Sequence, residues 1–235
     1  MLSQIASRGL IRVPIFATKA RQKALSLPHR ASRSRDRQIP YQREWSLRMA
    51  VQEFISPTSL SEAQQAVSDG AVSSWLAGGT DLLVGIRLGA RDPARVIDLK
   101  QIPELTAIEM DDTSVRIGAA ASAFDVLHNS DVPTLFPGLA EALDLIGSTQ
   151  IQGRCSAGGN LCNASPAADS IPALIANGAQ CRILGPDGER TLAVEDFVVG
   201  PNQNALAPGE LLVELILPRP AAGTCLLYTS PSPRD

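Results

Sequence analysis

"SSWLAGGTDLLVGIRLGARDPARVIDLK", residues Ser73 to Lys100, changes its pattern twice in a short span. Its first part predicts a short buried strand ending at Ala77, because a compact apolar run stops at the pair Gly78-Gly79. A helix is expected from near Asp81, and "ARVIDLK" reads as a second strand. Strand, glycine turn, helix and strand in that order make a βαβ-like unit. Glycines at a strand-to-helix turn let the backbone approach a ligand closely and turn its N–H groups outward, which suits a phosphate. Taken alone this is a weak signal, since a strand-to-helix turn often uses glycine for purely steric reasons. No Lys follows the turn and no G-x-G-x-x-G is present, so neither the Walker pattern nor the dinucleotide fingerprint applies.

Upstream, "PTSLSEAQQAVSDG" carries a capping box of Ser59 and Glu62, an apolar face at Leu60, Ala63, Ala66 and Val67, and a stop at Gly70. Downstream, "TSVRIGAAAS" is a strand, after which Ser122 caps a short helix carrying Phe124, Val126 and Leu127. Pro137 opens another helix, with Leu139, Leu143 and Ile146 facing inward. "DSIPALIANGA" is helical despite Pro172, which fits a first turn. "AQCRILGPDGERTLAV" is a hairpin, and "GELLVELILP" is an apolar strand closed by Pro218. Strands without regular helical alternation imply antiparallel pairing here, so the class is α+β in two lobes.

Composition sets the outer limits. A chain of 235 residues with 44% hydrophobic and 19% charged residues can bury a core, and no apolar run is long enough to span a membrane. The net charge of −3 hides an asymmetry, since residues 1–48 hold 11 of the 21 Lys and Arg against Asp36 and Glu44 alone. That stretch is expected to be disordered. It fits a transit-like peptide, a nucleic-acid-binding tail or, preferred because Met49 opens onto structured-looking sequence, a start assigned too early. "CLLYTSPSPRD", from Cys225, resembles translated sequencing-adapter sequence, and the expected domain therefore runs from 49 to 223 with lobes of 49–100 and 101–223, followed by a non-native tail at 224–235. A Pro/Ser-rich tail is the plain alternative.

A second glycine element lies in "CSAGGNLCNASPAAD", Cys155 to Asp169. Gly158-Gly159-Asn160 follows Ser156 and precedes Asn163, Ser165 and Asp169. Two backbone cradles in separate lobes could grip one extended diphosphate, with Asn160 as donor and acceptor, Ser156 as a hydroxyl and Asp169 accepting from ribose or ring groups. The bland alternative is a tight loop with Asp169 as a helix cap. Cys155 and Cys162 stand C-x6-C with no second pair and no His nearby, so no metal site is expected. Cys181 reads as core filler beside Ile183. His128 reads as a surface or capping residue, and no hydrolytic arrangement of Ser, His and Asp is evident.

"WLAGGTDLL", "TQIQGRCSAGGNLCNASPAADSIPALIANGA" and "PGELLVELILP" together closely resemble the flavin-binding subunit of molybdenum hydroxylases, the group of the carbon monoxide dehydrogenase medium subunit and the flavin segment of xanthine dehydrogenase. The resemblance covers roughly 49–223 in order and spacing. It implies a two-lobed PCMH-type, vanillyl-alcohol-oxidase-like FAD-binding domain, C-terminally truncated, with FAD extended between the lobes. By position, Trp75, Leu76, Ala77, Gly78, Gly79, Thr80, Asp81 and Leu82 would form the first cradle, and Ser156, Ala157, Gly158, Gly159 and Asn160 the second. Ile146, Asp169 and Leu212 would fall at further flavin contacts. Cys155 and Ser156-Ala157 stand where relatives often carry Gly and Thr-Ile, and a basic flavin contact that relatives have beyond the Pro218 strand is not in this sequence. The resemblance further implies an oxidoreductase subunit with a molybdenum-cofactor large partner and a [2Fe–2S] small partner, in the cytoplasm, passing electrons to NAD or a quinone. Two other functions fit the residues: a non-catalytic flavin- or nucleotide-binding fragment, and a stand-alone flavin oxidase.

Overall fold

The computed structural model describes residues 51–221 together with 223 and 224. The expectations for residues 1–48, and for the tail from Cys225 onward, lie outside the described residues.

The chain begins with β1 (Glu53–Ile55), α1 (Leu60–Gln65), β2 (Ser73–Leu76), α2 (Leu82–Arg87) and β3 (Arg95–Asp98). The three strands form one sheet in the order β1-β3-β2, parallel throughout, as a βαβ unit requires. Ser59 caps α1 through its Oγ, which accepts from the Glu62 N–H at 3.2 Å. The Glu62 carboxylate reaches one residue further back than a capping box prescribes and accepts from the Thr58 N–H and Oγ. Of the four apolar residues expected to face inward from this helix, only Ala63 is fully buried. Gly70 then turns the chain with φ +73°. Arg95 anchors the corner by pairing with Glu53 at 2.7 Å and Asp69 at 2.8 Å.

At the far end of α2 the chain reverses. Leu88 is the last helical cap and Gly89 has φ +70°. The Ala90 N–H reaches the Gly85 carbonyl at 2.9 Å and the Gly89 N–H reaches Ile86 at 3.0 Å, a Schellman pair that only a glycine accommodates without strain.

The remainder contains α3 (Pro103–Thr106), β4 (Ile108–Met110), β5 (Ser114–Gly118), α4 (Ala123–Leu127), α5 (Val132–Leu135), α6 (Pro137–Asp144), α7 (Thr149–Gln152), α8 (Ala157–Asn163), α9 (Ser170–Ala176), β6 (Gln180–Gly185), β7 (Gly188–Ala193), α10 (Val194–Phe197), β8 (Val198–Gly200), β9 (Gln203–Asn204) and β10 (Leu211–Pro218). An antiparallel five-stranded sheet, β4-β5-β10-β6-β7, carries helices on one face. Its opposite face holds Arg116 beside Glu109 and Arg182 between Glu189 and Glu214, charges that keep it wettable. Helix α4 is capped by the Ser122 Oγ, as expected, but Phe124 lies at its surface stacked on His128.

Strand β10 is the keystone. Its register against β6 slips by one residue between Leu212 and Glu214, so Leu211, Leu212 and Val213 are buried in succession. Leu212, Leu215 and Leu217 enter the core beneath the helices, whereas Leu211 and Val213 enter a second core with Ala63, Leu99, Ile102 and Leu105. One strand thereby welds the two sheets together. Trp75 packs against that second core, and its Nε1 donates to the Glu210 carbonyl at 2.9 Å.

Candidate functional site

A cleft of about 600 Å³ opens between the β2–α2 turn and the loop that leads into α8, with Ala119, Leu211 and Leu212 also on its wall. Both glycine elements line it. The two turns touch each other: a Cβ on Gly78 would stand 2.0 Å from the Arg154 carbonyl oxygen and 2.8 Å from the Cys155 Cα. Gly158 is equally constrained, since a Cβ there would lie 2.5 Å from the Ala119 carbonyl oxygen. Those two glycines are thus small because main chain packs on main chain. Gly79 is needed for a different reason, a left-handed φ of +79° that aims the turn into α2.

The cleft wall offers a ligand both polar side chains, among them Thr80, Asp81, Arg91 and Asn160, and main-chain groups. The N–H groups of Gly78, Gly79, Thr80 and Asp81 donate to no acceptor among the described residues, and neither does that of Gly158. The first N–H groups of a helix have no intrahelical acceptor, so part of this set follows from the starts of α2 and α8; on a cleft wall such donors are open to a ligand or to water. In the second loop the Ser156 Oγ is already occupied, capping α8 by accepting from the Gly159 N–H at 3.0 Å. The Asn160 carboxamide oxygen accepts from the buried Ser170 hydroxyl at 2.7 Å, which leaves its NH2 as the free donor.

Thirteen of the sixteen residues expected at the site stand on this wall: Trp75, Ala77, Gly78, Gly79, Thr80, Asp81, Leu82, Ile146, Ser156, Gly158, Gly159, Asn160 and Leu212. Three stand off it. Leu76 is buried under the first sheet with Leu82 and Ile86, and Ala157 is buried in the helical core. Asp169 is exposed just before α9, where its side chain makes no capping hydrogen bond; the cap expected of it is absent because its backbone is already helical. Its neighbour Ala168 lines the cleft.

Several wall residues were not foreseen. Arg91, the one cationic side chain on the wall among the described residues, donates to the Asn163 Oδ1 at 3.0 Å and so spans from one lobe to the other. Its stem lies over Gly85, where a Cβ would come within 3.2 Å of it. In "GIRLGARD" a helix-ending glycine marks the reversal, but nothing local marks Arg91 as a residue that reaches Asn163. Asn204 is held by its own bond to the Cys162 carbonyl at 2.7 Å, a long-range contact with no local signature.

The thiols are chemically quiet. Burial raises Cys155 and pushes both Cys162 and Cys181 up to about 12, so each stays protonated at neutral pH. Among the described residues no group of three or more His, Cys, Asp or Glu side chains converges on a point. No helix among them is long and apolar enough to cross a membrane.

The fold is thus of α+β class, with two welded lobes and a cleft between them whose wall carries unpartnered amides from the β2–α2 turn and the start of α8. Residues 48–220 match the family model described as the FAD binding domain in molybdopterin dehydrogenase. The chain belongs to that family, whose cofactor is FAD and whose members are oxidoreductase subunits. Over 177 residues it is 33% identical to the carbon monoxide dehydrogenase medium chain of Hydrogenophaga pseudoflava, covering 75% of this chain and 62% of that one. The xanthine dehydrogenase FAD-binding subunit of Escherichia coli O157:H7 is 30% identical over 161 residues, covering 68% and 55%. Among solved structures, a carbon monoxide dehydrogenase from Hydrogenophaga pseudoflava superimposes with a TM-score of 0.70 at 33% identity, covering 72% of this chain and 60% of that one. Quinoline 2-oxidoreductase from Pseudomonas putida 86 gives 0.68 at 28% identity, covering 71% and 58%. The chain therefore spans about three fifths of the length of the relatives it matches.

Proposed function

We propose that this chain is the flavin-carrying subunit of a molybdenum hydroxylase. In this reading FAD lies in the cleft, electrons arrive from [2Fe–2S] clusters of a small partner, and they leave to an acceptor such as NAD or a quinone. A large partner would hold the molybdenum cofactor and the substrate. Supporting this division, relatives are named as a medium chain, a FAD-binding subunit and a subunit beta. A cytoplasmic setting would keep the free Cys155, Cys162 and Cys181 reduced.

The observation that carries the reading is the presence, on the wall of one cleft, of unpartnered amides from the β2–α2 turn and from the start of α8. Bound FAD supplies the electron chemistry, while the polypeptide supplies position and electrostatics. The amides of Gly78 to Asp81 would take one phosphate, and the Gly158 N–H with the Asn160 NH2 the other. The apolar surfaces of Leu82, Ile146 and Leu212 would keep water from the ring system. Leu76 and Ala157 would act from behind the wall by fixing the turns, and Asp169 would require a ligand group that extends past Ala168.

Purification of the chain and a visible spectrum test this directly. A flavin band bleached by dithionite, together with co-purification of a molybdenum-containing large chain, is the expected result. Folded protein with no flavin after incubation with excess FAD would refute it.

A further inference from the structure

Behind the first glycine turn, outside the cleft wall, stands Lys100. Its ammonium group donates to the Ala77 carbonyl oxygen at 2.9 Å and pairs with the Asp98 carboxylate, which also accepts from the Lys100 N–H at 3.2 Å. Both side chains are largely shielded, with relative exposures of 25% and 13%. In a trans peptide the C=O and N–H vectors point in opposite directions, and no cis peptide occurs among the described residues. Holding the Ala77 oxygen towards Lys100 therefore turns the N–H of the same peptide, that of Gly78, away from Lys100. That N–H is one of the unpartnered donors on the cleft wall.

The other side of the same peptide is fixed as well, because Gly78 rests on the Arg154 and Cys155 backbone with no room for a methyl group. A tether on one flank and a steric stop on the other leave the peptide one orientation. Nothing in the sequence marks Lys100, which follows β3 by two residues and lies in neither glycine motif.

We propose that Lys100 is a positioning residue for anion recognition: it sets the Gly78 amide for the diphosphate without touching the ligand itself. This rests on the FAD reading above and deepens it. Asp98 belongs to the device, since it holds the ammonium group where the carbonyl can reach it.

The test compares FAD with riboflavin, which has the same ring system and no phosphate, by equilibrium quenching of flavin fluorescence on the full chain. Lys100→Met is expected to weaken FAD binding about tenfold, the scale of a lost charge-assisted hydrogen bond, and to leave riboflavin binding unchanged. Lys100→Arg, which keeps a cationic donor, is expected to restore most of the loss. Should Lys100→Met fold poorly, the double variant Asp98→Asn with Lys100→Met removes the uncompensated carboxylate and is read in its place. Unchanged FAD affinity in a folded variant, or an equal loss for riboflavin, would overturn the assignment of Lys100 alone. Wild-type protein that binds no FAD would overturn the FAD reading and this inference together.

Discussion

Gly78 and Arg154 meet main chain to main chain across the boundary between the two glycine turns, leaving no space for even one added carbon. The contact fixes the spacing between the β2–α2 turn and the segment that leads into α8, both on the cleft wall. It also makes separable predictions for two adjacent glycines.

Gly78→Ala drives its new methyl into the Arg154 carbonyl, so the turns must separate. A loss of about 1–3 kcal/mol, as for other overpacked sites, and a marked fall in FAD retention are expected. Gly79→Ala meets side chain and no main chain, the Leu76 and Leu83 methyls and the Leu83 Cγ, but has to hold φ +79°, at about 1–2 kcal/mol. Denaturant melts together with flavin content after gel filtration separate the two cases. Equal flavin retention in Gly78→Ala and wild type would contradict the contact.

Trp75→Phe deletes the Nε1 bond to the Glu210 carbonyl together with the pyrrole edge of the ring that packs against the second core, so the bond sets the lower bound of the loss. The expected cost is at least about 1 kcal/mol, read from urea denaturation. A neutral result would mean that water replaces the indole donor.

Acid should loosen the corner at Arg95. Hydrogen bonding by the Arg95 guanidinium holds Asp69 at about 2, below its ordinary 3.8. A depressed folded-state value gives stability that is complete above the unfolded value and is lost as pH falls through the folded one. The loss attributable to this pair therefore falls between about pH 4 and pH 2, and Asp69→Asn should flatten the profile there. Because Asp69 is exposed, the amplitude is small and screened by salt. Thermal melts across that range at low ionic strength measure it.

Native Cys155, Cys162 and Cys181 should resist iodoacetamide at neutral pH and react once the chain is unfolded, because burial keeps all three as thiols. Peptide mapping by mass spectrometry reads each position separately. Cys162 is half-buried on the cleft wall, so rapid native labelling there would contradict its raised thiol.

Much of this molecule was legible in its sequence for local reasons. The βαβ unit, the caps at Ser59 and Ser122, the Pro186-Asp187 hairpin and the apolar β10 all announce themselves within a few residues of where they act. The first glycine turn stands where it was expected, whereas Gly158-Gly159-Asn160, expected as a cradle or tight loop, is the opening turn of helix α8, and the reason for two of these glycines was not legible. Gly78 and Gly158 answer to Arg154 and Ala119, partners that only the folded chain brings near. The Asp169 cap failed because a residue of capping type sits already inside helical geometry. Arg91 reaching Asn163, Ser170 fixing Asn160 and Lys100 holding Ala77 are side-chain bonds across the fold, with no periodic signature to betray them.

The slipped register of β10 has a mechanical outcome. With Leu211 and Val213 wedged on one side and Leu212 and Leu215 on the other, swinging the lobes apart would unpack both interiors at once. Cofactor loading should then resemble a card entering a rigid slot more than a clam shell shutting, and the radius of gyration from small-angle X-ray scattering should barely move when FAD is added.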